Sequence, residues 1–224
     1  MPTQPRIVAI RPTQRDPNRA TIRVATQEGR KGRVAATLNQ TKIHELGLSV
    51  GQVWDDALAQ RVADAALYDK AFRSAMTRLA RRAMSRGMLD DKLRQAGHGD
   101  EVRAAVFNRL DDLGLIDDEA FGKALIAETT RSKPAGPRLL RQKLFQKGID
   151  ASLIDRLLED HEQHTAQQDD PHADAIAFAR KRAASLARFD DATRRRRLYG
   201  QLARRGFDPD TIRAAMDAAL SEPT

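Results

Sequence analysis

His161, Glu162 and His164 form an H-E-x-H run, the nearest approach in this chain to a metal-dependent hydrolase. A zinc-protease helix needs H-E-x-x-H, because histidines four apart share one helix face and the glutamate beside them serves as general base. Here the spacing is one residue short, which misplaces the glutamate, and no third ligand stands out. A solvated linker is therefore expected rather than a metal site. His44, His98 and His172 are isolated, and surface or turn roles are expected for them. The carboxylate pairs Asp90/Asp91, Asp117/Asp118 and Asp190/Asp191 would suit acid–base work in a cleft. Each falls where a helix is expected to start, and capping plus the helix dipole account for it. Gly29 to Gly32 lacks the G-x-x-x-x-G-K-[ST] order of a phosphate loop. The chain has no cysteine, which excludes disulfides, thiol catalysis and cysteine-ligated zinc and fits a reducing cytoplasm. No catalytic residue, metal or cofactor is assigned, and no enzyme is expected.

What remains is charge. The 224 residues carry a formal net charge of +8, and such a surplus favours acidic partners, nucleic acid first. Three clusters concentrate it. The first is Arg78, Arg81, Arg82 and Arg86. The second is Lys133, Arg138, Arg141, Lys143 and Lys147, with no acid among residues 133–149. The third is Arg194, Arg195, Arg196 and Arg197 with Arg204 and Arg205. Any one of them reads as a solvated helix face. Three beside the same repeated phrase point to a shared ridge that tracks phosphates or meets acidic protein surface. Few aromatics flank these residues, so base stacking is expected to be minor. Residues 111–170 are net acidic between basic flanks, which suits a partner of mixed charge better than bare DNA.

The elements that must position these residues announce themselves by repetition. Leu89, Leu93 and Gly97 recur in spacing as Leu140, Leu144 and Gly148, and again as Leu198, Leu202 and Gly206. Leucines four apart make an apolar stripe on a helix, and a glycine four residues on suits the left-handed residue that ends it. Asp150, or Asp208 with Pro209, then opens a new helix. Recurrence at roughly fifty residues signals tandem repeats. Glycines 97, 148 and 206 should therefore end the second helix of three helical triplets, about nine helices after residue 55.

Upstream, Ile7, Val8 and Ile10 read as a strand, Thr21 to Thr26 as a half-buried strand and Val34 to Leu38 as a weaker third. Trp54 is expected to anchor this β element to the first helix. Glu28 to Gly32 reads as a charged turn, and Asp55 to Ser85 is helical by period, with a break allowed at Tyr68 and Asp69. Val102, Val106, Leu110 and Leu113 are expected on the apolar stripe of the first repeat's third helix, and Phe121, Ala124 and Leu125 facing inward on the second repeat's first helix. Residues 161–171 read as a linker or frayed helix end. The fold expected is mainly α: three tandem three-helix repeats forming an elongated curved rod, preceded by a small N-terminal β-containing element. The boundaries are 1–54 for that element, 55–116 for the first repeat with its leading helix, 117–169 for the second and 170–224 for the third. With 41% hydrophobic but only 4% aromatic residues, the core must be aliphatic. No stretch is apolar enough to cross a membrane, and there is no signal-peptide pattern.

Leu79 to Gly97 resembles the first repeat of the RecX family of recombination regulators, with Arg82, Ser85, Leu89, Leu93 and Gly97 matching its pattern. Asp118 and Phe121 fit the family's second-repeat start, Gly136 its mid-repeat glycine, and Lys147, Gly148 and Ile149 its K-G-I. Leu198, Leu202, Gly206 and Phe207 carry the third repeat. Met88 departs from a usual glutamate. The resemblance implies a cytoplasmic monomer that binds RecA filaments on DNA. It would inhibit RecA ATPase, filament growth and strand exchange, and so modulate recombinational repair and the SOS response. The alternative is a protein that binds single- or double-stranded DNA directly through basic helix ridges.

Overall fold

A computed structural model describes residues 4–26, 31–166 and 172–221, and among these residues ten helices follow a three-stranded sheet. The chain divides into two compact units, Met1–Arg82 with Leu89–Leu115, and Ala83–Met88 with Ile116–Thr224.

In the first unit, β1 (Arg6–Pro12), β2 (Arg19–Ala25) and β3 (Arg33–Asn39) form an antiparallel sheet in that order. Alternation turns Ala20, Ile22 and Val24 to one face, where Ile7 and Leu38 join them. Three short strands with one apolar face need a cover. It comes from α2 (Asp56–Leu79), whose Leu58, Val62 and Ala65 complete that core together with Trp54. A short helix, α1 (Gln40–Glu45), connects β3 to this layer. Helix α2 runs unbroken through Tyr68 and Asp69. Asp69 is no breaker here, because its carboxylate pairs with Arg19 of β2 at 2.7 Å, both side chains nearly buried. Tyr68 stacks on Phe72 one turn along.

Two expectations at the ends of this unit are corrected. Helix α2 stops at Leu79 rather than near Ser85, leaving Ala83 exposed while Ala71 and Ala75 are fully buried. The small alanines allow close packing of α4 (Asp100–Asp112) against α2. Leu113, expected on the inner stripe of α4, lies past its last residue and is exposed, because Gly114 with φ +60° ends the helix first. Between them runs α3 (Arg86–Gln95), which buries Leu89 and Leu93.

The second unit holds α5 (Asp118–Ser132), α6 (Pro137–Gln146), α7 (Ala151–Ala166), α8 (Ala173–Ser185), α9 (Asp191–Arg204) and α10 (Pro209–Leu220). One core gathers Ile126, Leu140, Leu144, Ile154, Leu157 and Leu158. A second gathers Phe178, Ala179, Leu198, Leu202 and Ile212. Ala124, expected to face inward on α5, is exposed, and Gly122 and Ile126 are buried instead. Residues 161–166 are helical, not a linker. Residues 167–171 and most of the expected charged turn at 28–32 lie outside the described residues.

The three repeated phrases end alike. Gly97, Gly148 and Gly206 have φ of +80°, +68° and +82°. Each glycine N–H donates to the carbonyl three residues back, and the next residue's N–H to the carbonyl five back, as in Leu144 O accepting from Ile149 N at 3.3 Å. This is the Schellman closure, and it calls for an apolar contact at the residue after the glycine. Ile149, Phe207 and even His98 are buried in that place.

Candidate functional site

The sequence motifs with catalytic overtones do not assemble. His161 is half-buried while Glu162 and His164 are exposed, and among the described residues no group of three or more His, Cys, Asp or Glu could hold a metal ion. Burial holds the His161 imidazole below its ordinary value, with Asp174 and Glu162 opposing. His98 is buried beneath its Schellman turn and is likewise held down, by burial first and then by Lys70, Arg78 and Arg103. Asp117 and Asp190 cap α5 and α9. Asp90 and Asp91 correct the expectation for their pair, since they lie inside α3 rather than at its start. Asp90 pairs with Arg103 and Asp91 with Arg94.

The first basic cluster does not lie along its repeat's second helix. Arg78 sits on α2, folded back onto the Ser74 carbonyl at 3.0 Å, and Arg81 and Arg82 occupy the exposed turn after it. Of the four, Arg86 alone belongs to α3, where its backbone N–H donates to Asp118. Position 87, equivalent to Arg138 and Arg196 by the leucine register, is glycine.

The second cluster is distributed around α6. Arg138 is exposed, Arg141 pairs with Asp155 on α7, and Lys143 and Lys147 are half-buried. The outward face of α6 presents Arg138, Arg141, Gln142 and Phe145, at the spacing of one helix face. Phe145 is 71% exposed. Sequence reasoning missed this residue, because periodicity was read only for the buried stripe.

The third cluster contains both structure and surface. Arg205 is half-buried and donates from Nε to the Pro134 carbonyl and from Nη2 to that of Lys133, each at 2.6 Å. Burial lowers its pKa. Gly136 N and Arg138 N donate to the carbonyls of Arg205 and Gly206. Four hydrogen bonds thus fasten the turn before α6 to the end of α9. Arg194 is half-buried with its Nε unpartnered among the described residues. By register it stands where the other repeats have the small residues Ser85 and Gly136.

The fastening carries Lys133 to the far repeat. Lys133, Phe178, Arg182, Gln201, Arg204 and Arg205 line a hollow of about 350 Å³. A second hollow, about 410 Å³, is lined by Arg196, Arg197, Gly200, Gln201 and Arg204. Arg204 and Gln201 belong to both, and no acid lines either. Arg197 lies over the Phe189 ring at 3.8 Å. Tyr199, 48% exposed, projects beside Arg195 and Arg196. Phe145 and Tyr199, two of the few aromatics near the basic clusters, are thus exposed on α6 and α9.

Three-helix domains in tandem, following a small sheet, define a helical-repeat protein. Residues 117–158 match the family model described as RecX, second three-helix domain, and residues 168–216 that of RecX, third three-helix domain. The chain is 37% identical over 148 residues to the regulatory protein RecX of Chlorobium phaeobacteroides, covering 66% of this chain and 92% of that one. It is 35% identical over 152 residues to the regulatory protein RecX of Prosthecochloris aestuarii, covering 68% and 95%. A crystal structure of a regulatory protein RecX superposes with a TM-score of 0.76 at 21% identity, covering 95% of this chain and 99% of that one. That of RecX from Lactobacillus salivarius gives 0.59 at 21% identity, covering 70% and 98%. This chain belongs to the RecX family of regulatory proteins. Among the described residues no helix is long and apolar enough to cross a membrane.

Proposed function

We propose that this protein binds RecA filaments on DNA and inhibits RecA ATPase, filament growth and strand exchange. It would act as a cytoplasmic monomer through three helical repeats spanning residues 55–116, 117–169 and 170–224. Membership in a family of regulatory proteins supports the regulatory role. The observation that carries the contact surface is Phe145, a large apolar side chain left in water at one end of a helix face that also presents Arg138, Arg141 and Gln142. An exposed aromatic beside an arginine is the composition of an interface hot spot, where burying the ring supplies affinity and Arg138 meets acidic groups, Arg141 being paired with Asp155.

The test is RecA ATP turnover on single-stranded DNA at rising amounts of this protein. Inhibition far below one molecule per recombinase subunit is expected if growth is blocked, and a linear requirement if the filament is coated. Phe145→Ala should raise the concentration needed by about ten-fold or more, with melting unchanged because the ring contributes little to the core. Unaltered inhibition by Phe145→Ala and by Arg138→Glu would remove this face from the contact. No inhibition by the wild type at any ratio would overturn the RecA reading itself.

A further inference from the structure

We propose that the outward side of α9 is a seat for single-stranded nucleic acid, with phosphates in the two arginine-lined hollows and a base stacked on Tyr199. This goes beyond the RecA reading and uses a different helix from the one assigned there.

The first support is the cost of the arrangement. Lys133, Arg182, Arg196, Arg197 and Arg204 come from three separate stretches of chain and converge on two adjoining hollows with no acidic lining. Like charges lining the same hollow repel one another, an effect that salt screens over a Debye length of roughly 8 Å. The fold uses Arg205 for its backbone clamp, but the remaining cations hold no ion pair among the described residues. Elsewhere the same chain neutralises its arginines readily, as Arg141 with Asp155 and Arg103 with both Asp90 and Asp100. A polyanion laid across α9 would relieve the repulsion that the protein leaves standing. Gln201, shared by both hollows, adds an uncharged amide donor for a phosphate oxygen.

The second support selects single strands. Tyr199 stands four residues after Arg195 and three after Arg196, so all three share a flank of α9. Gly200 and Ala203 beside it are too small to shield the ring. A duplex keeps its bases stacked inside and offers a protein only groove edges and phosphates. An unpaired strand offers base faces, which stack on exposed aromatics between cations. Arg196 and Arg204 are eight residues apart, roughly 12 Å along the helix. That distance leaves room for an extended strand to place phosphates at both hollows while one base turns to the tyrosine.

The experiment measures fluorescence anisotropy of a labelled oligo-dT, alone or annealed to oligo-dA, with the full-length protein and no recombinase. The wild type should bind the single strand more tightly than the duplex, with a salt slope of about −2 to −3 from some four neutralised phosphates. Tyr199→Ala should weaken single-strand binding about five-fold or more and leave duplex binding alone, while Tyr199→Phe retains the preference. Arg204→Glu should weaken both and flatten the slope by at least about 0.7. Free thymidine monophosphate should compete far less well than the oligomer.

Four results would overturn the proposal: no naked-strand binding, no effect of Tyr199→Ala, an equal effect on the duplex, or competition by the mononucleotide as strong as by the strand. Arg196→Ala, at an exposed position, repeats the phosphate arm should Arg204→Glu fold poorly. The RecA reading stands or falls separately, since a failure here leaves the ATPase assay with Phe145 variants untouched.

Discussion

Three glycines with nearly the same φ have very different surroundings. A Cβ on Gly97 would meet nothing within 4 Å, whereas one on Gly206 would collide with the backbone of Leu139, and one on Gly148 would lie 2.8 Å from Gly87 Cα. Gly97→Ala should therefore cost only the left-handed strain, roughly 1–2 kcal/mol. Gly206→Ala should add the overpacking of two backbones, a further ~1–3 kcal/mol. Urea unfolding of the two variants gives the comparison, and equal losses would mean that the close approach contributes nothing. The positive φ was legible in the sequence, because a leucine stripe ending in glycine and an apolar residue has one sensible closure. The close approach was not, since it depends on which residue another repeat presents. Ser85, whose hydroxyl donates to the Lys147 carbonyl, and Gly87 against Gly148 make one such joint; Gly136 against Gly206 makes the other. Their smallness fits the docking, but nothing in local spacing announces it.

Among the elements, the sheet and α2 are joined by an ion pair that no pattern predicted. Asp69 looked like a breaker, yet it faces Arg19, whose Nη2 also donates to the Thr37 carbonyl at 2.9 Å. Asp69→Ala would leave a nearly buried guanidinium without its carboxylate, at a cost of about 3 kcal/mol or more. Arg19→Met with Asp69→Leu should recover most of that loss in chemical denaturation, because it is the stranded charge that destabilises. The helix starts make a different prediction. The Asp190 carboxyl is held below the ordinary carboxylate range by the Thr193 N–H, and that of Asp150 by the Ser152 hydroxyl and N–H. A depressed folded-state pKa means that the stabilisation is complete above the unfolded value, about 3.9. It is then lost as pH falls through the lower folded value. Melting temperature should drop more steeply on acidification below pH 4 for the wild type than for Asp190→Asn, which can still cap but does not titrate. Parallel curves would rule Asp190 out as a contributor. These caps were readable as Asp before an apolar period; the Asp90 and Asp91 pair was misread because α3 starts four residues earlier, at Arg86 behind Ser85.

Across the whole molecule, the basic ridge was legible as composition and not as geometry. Arg138 and Arg196 are a pair in it that shares both register and exposure. They occupy the same place in two repeats, two residues before the buried Leu140 and Leu198, and both are exposed. Arg205 and Arg78 are taken up by backbone carbonyls, Arg141 by Asp155, and the first repeat has Gly87 in the equivalent place. Linear spacing treats all of these as one set, whereas only packing separates arginines that serve the fold from those that face water. The separation makes a test possible. Arg138→Gln combined with Arg196→Gln removes two exposed charges without touching a core residue, and exposed substitutions usually shift stability by less than about 0.5 kcal/mol. Melting should barely move. If these positions meet phosphate or acidic protein, filament inhibition should fall steeply and its dependence on salt should weaken, because fewer counterions are released on binding. The pair Arg78→Gln and Arg141→Gln removes the same amount of charge, one cation from the first cluster and one from the second, at positions already engaged within the fold. It should leave inhibition near the wild-type level. Equal losses from both pairs would show that only total charge matters, so the effect would be a diffuse field. Loss confined to the Arg138 and Arg196 pair would locate the contact on the outward faces of α6 and α9.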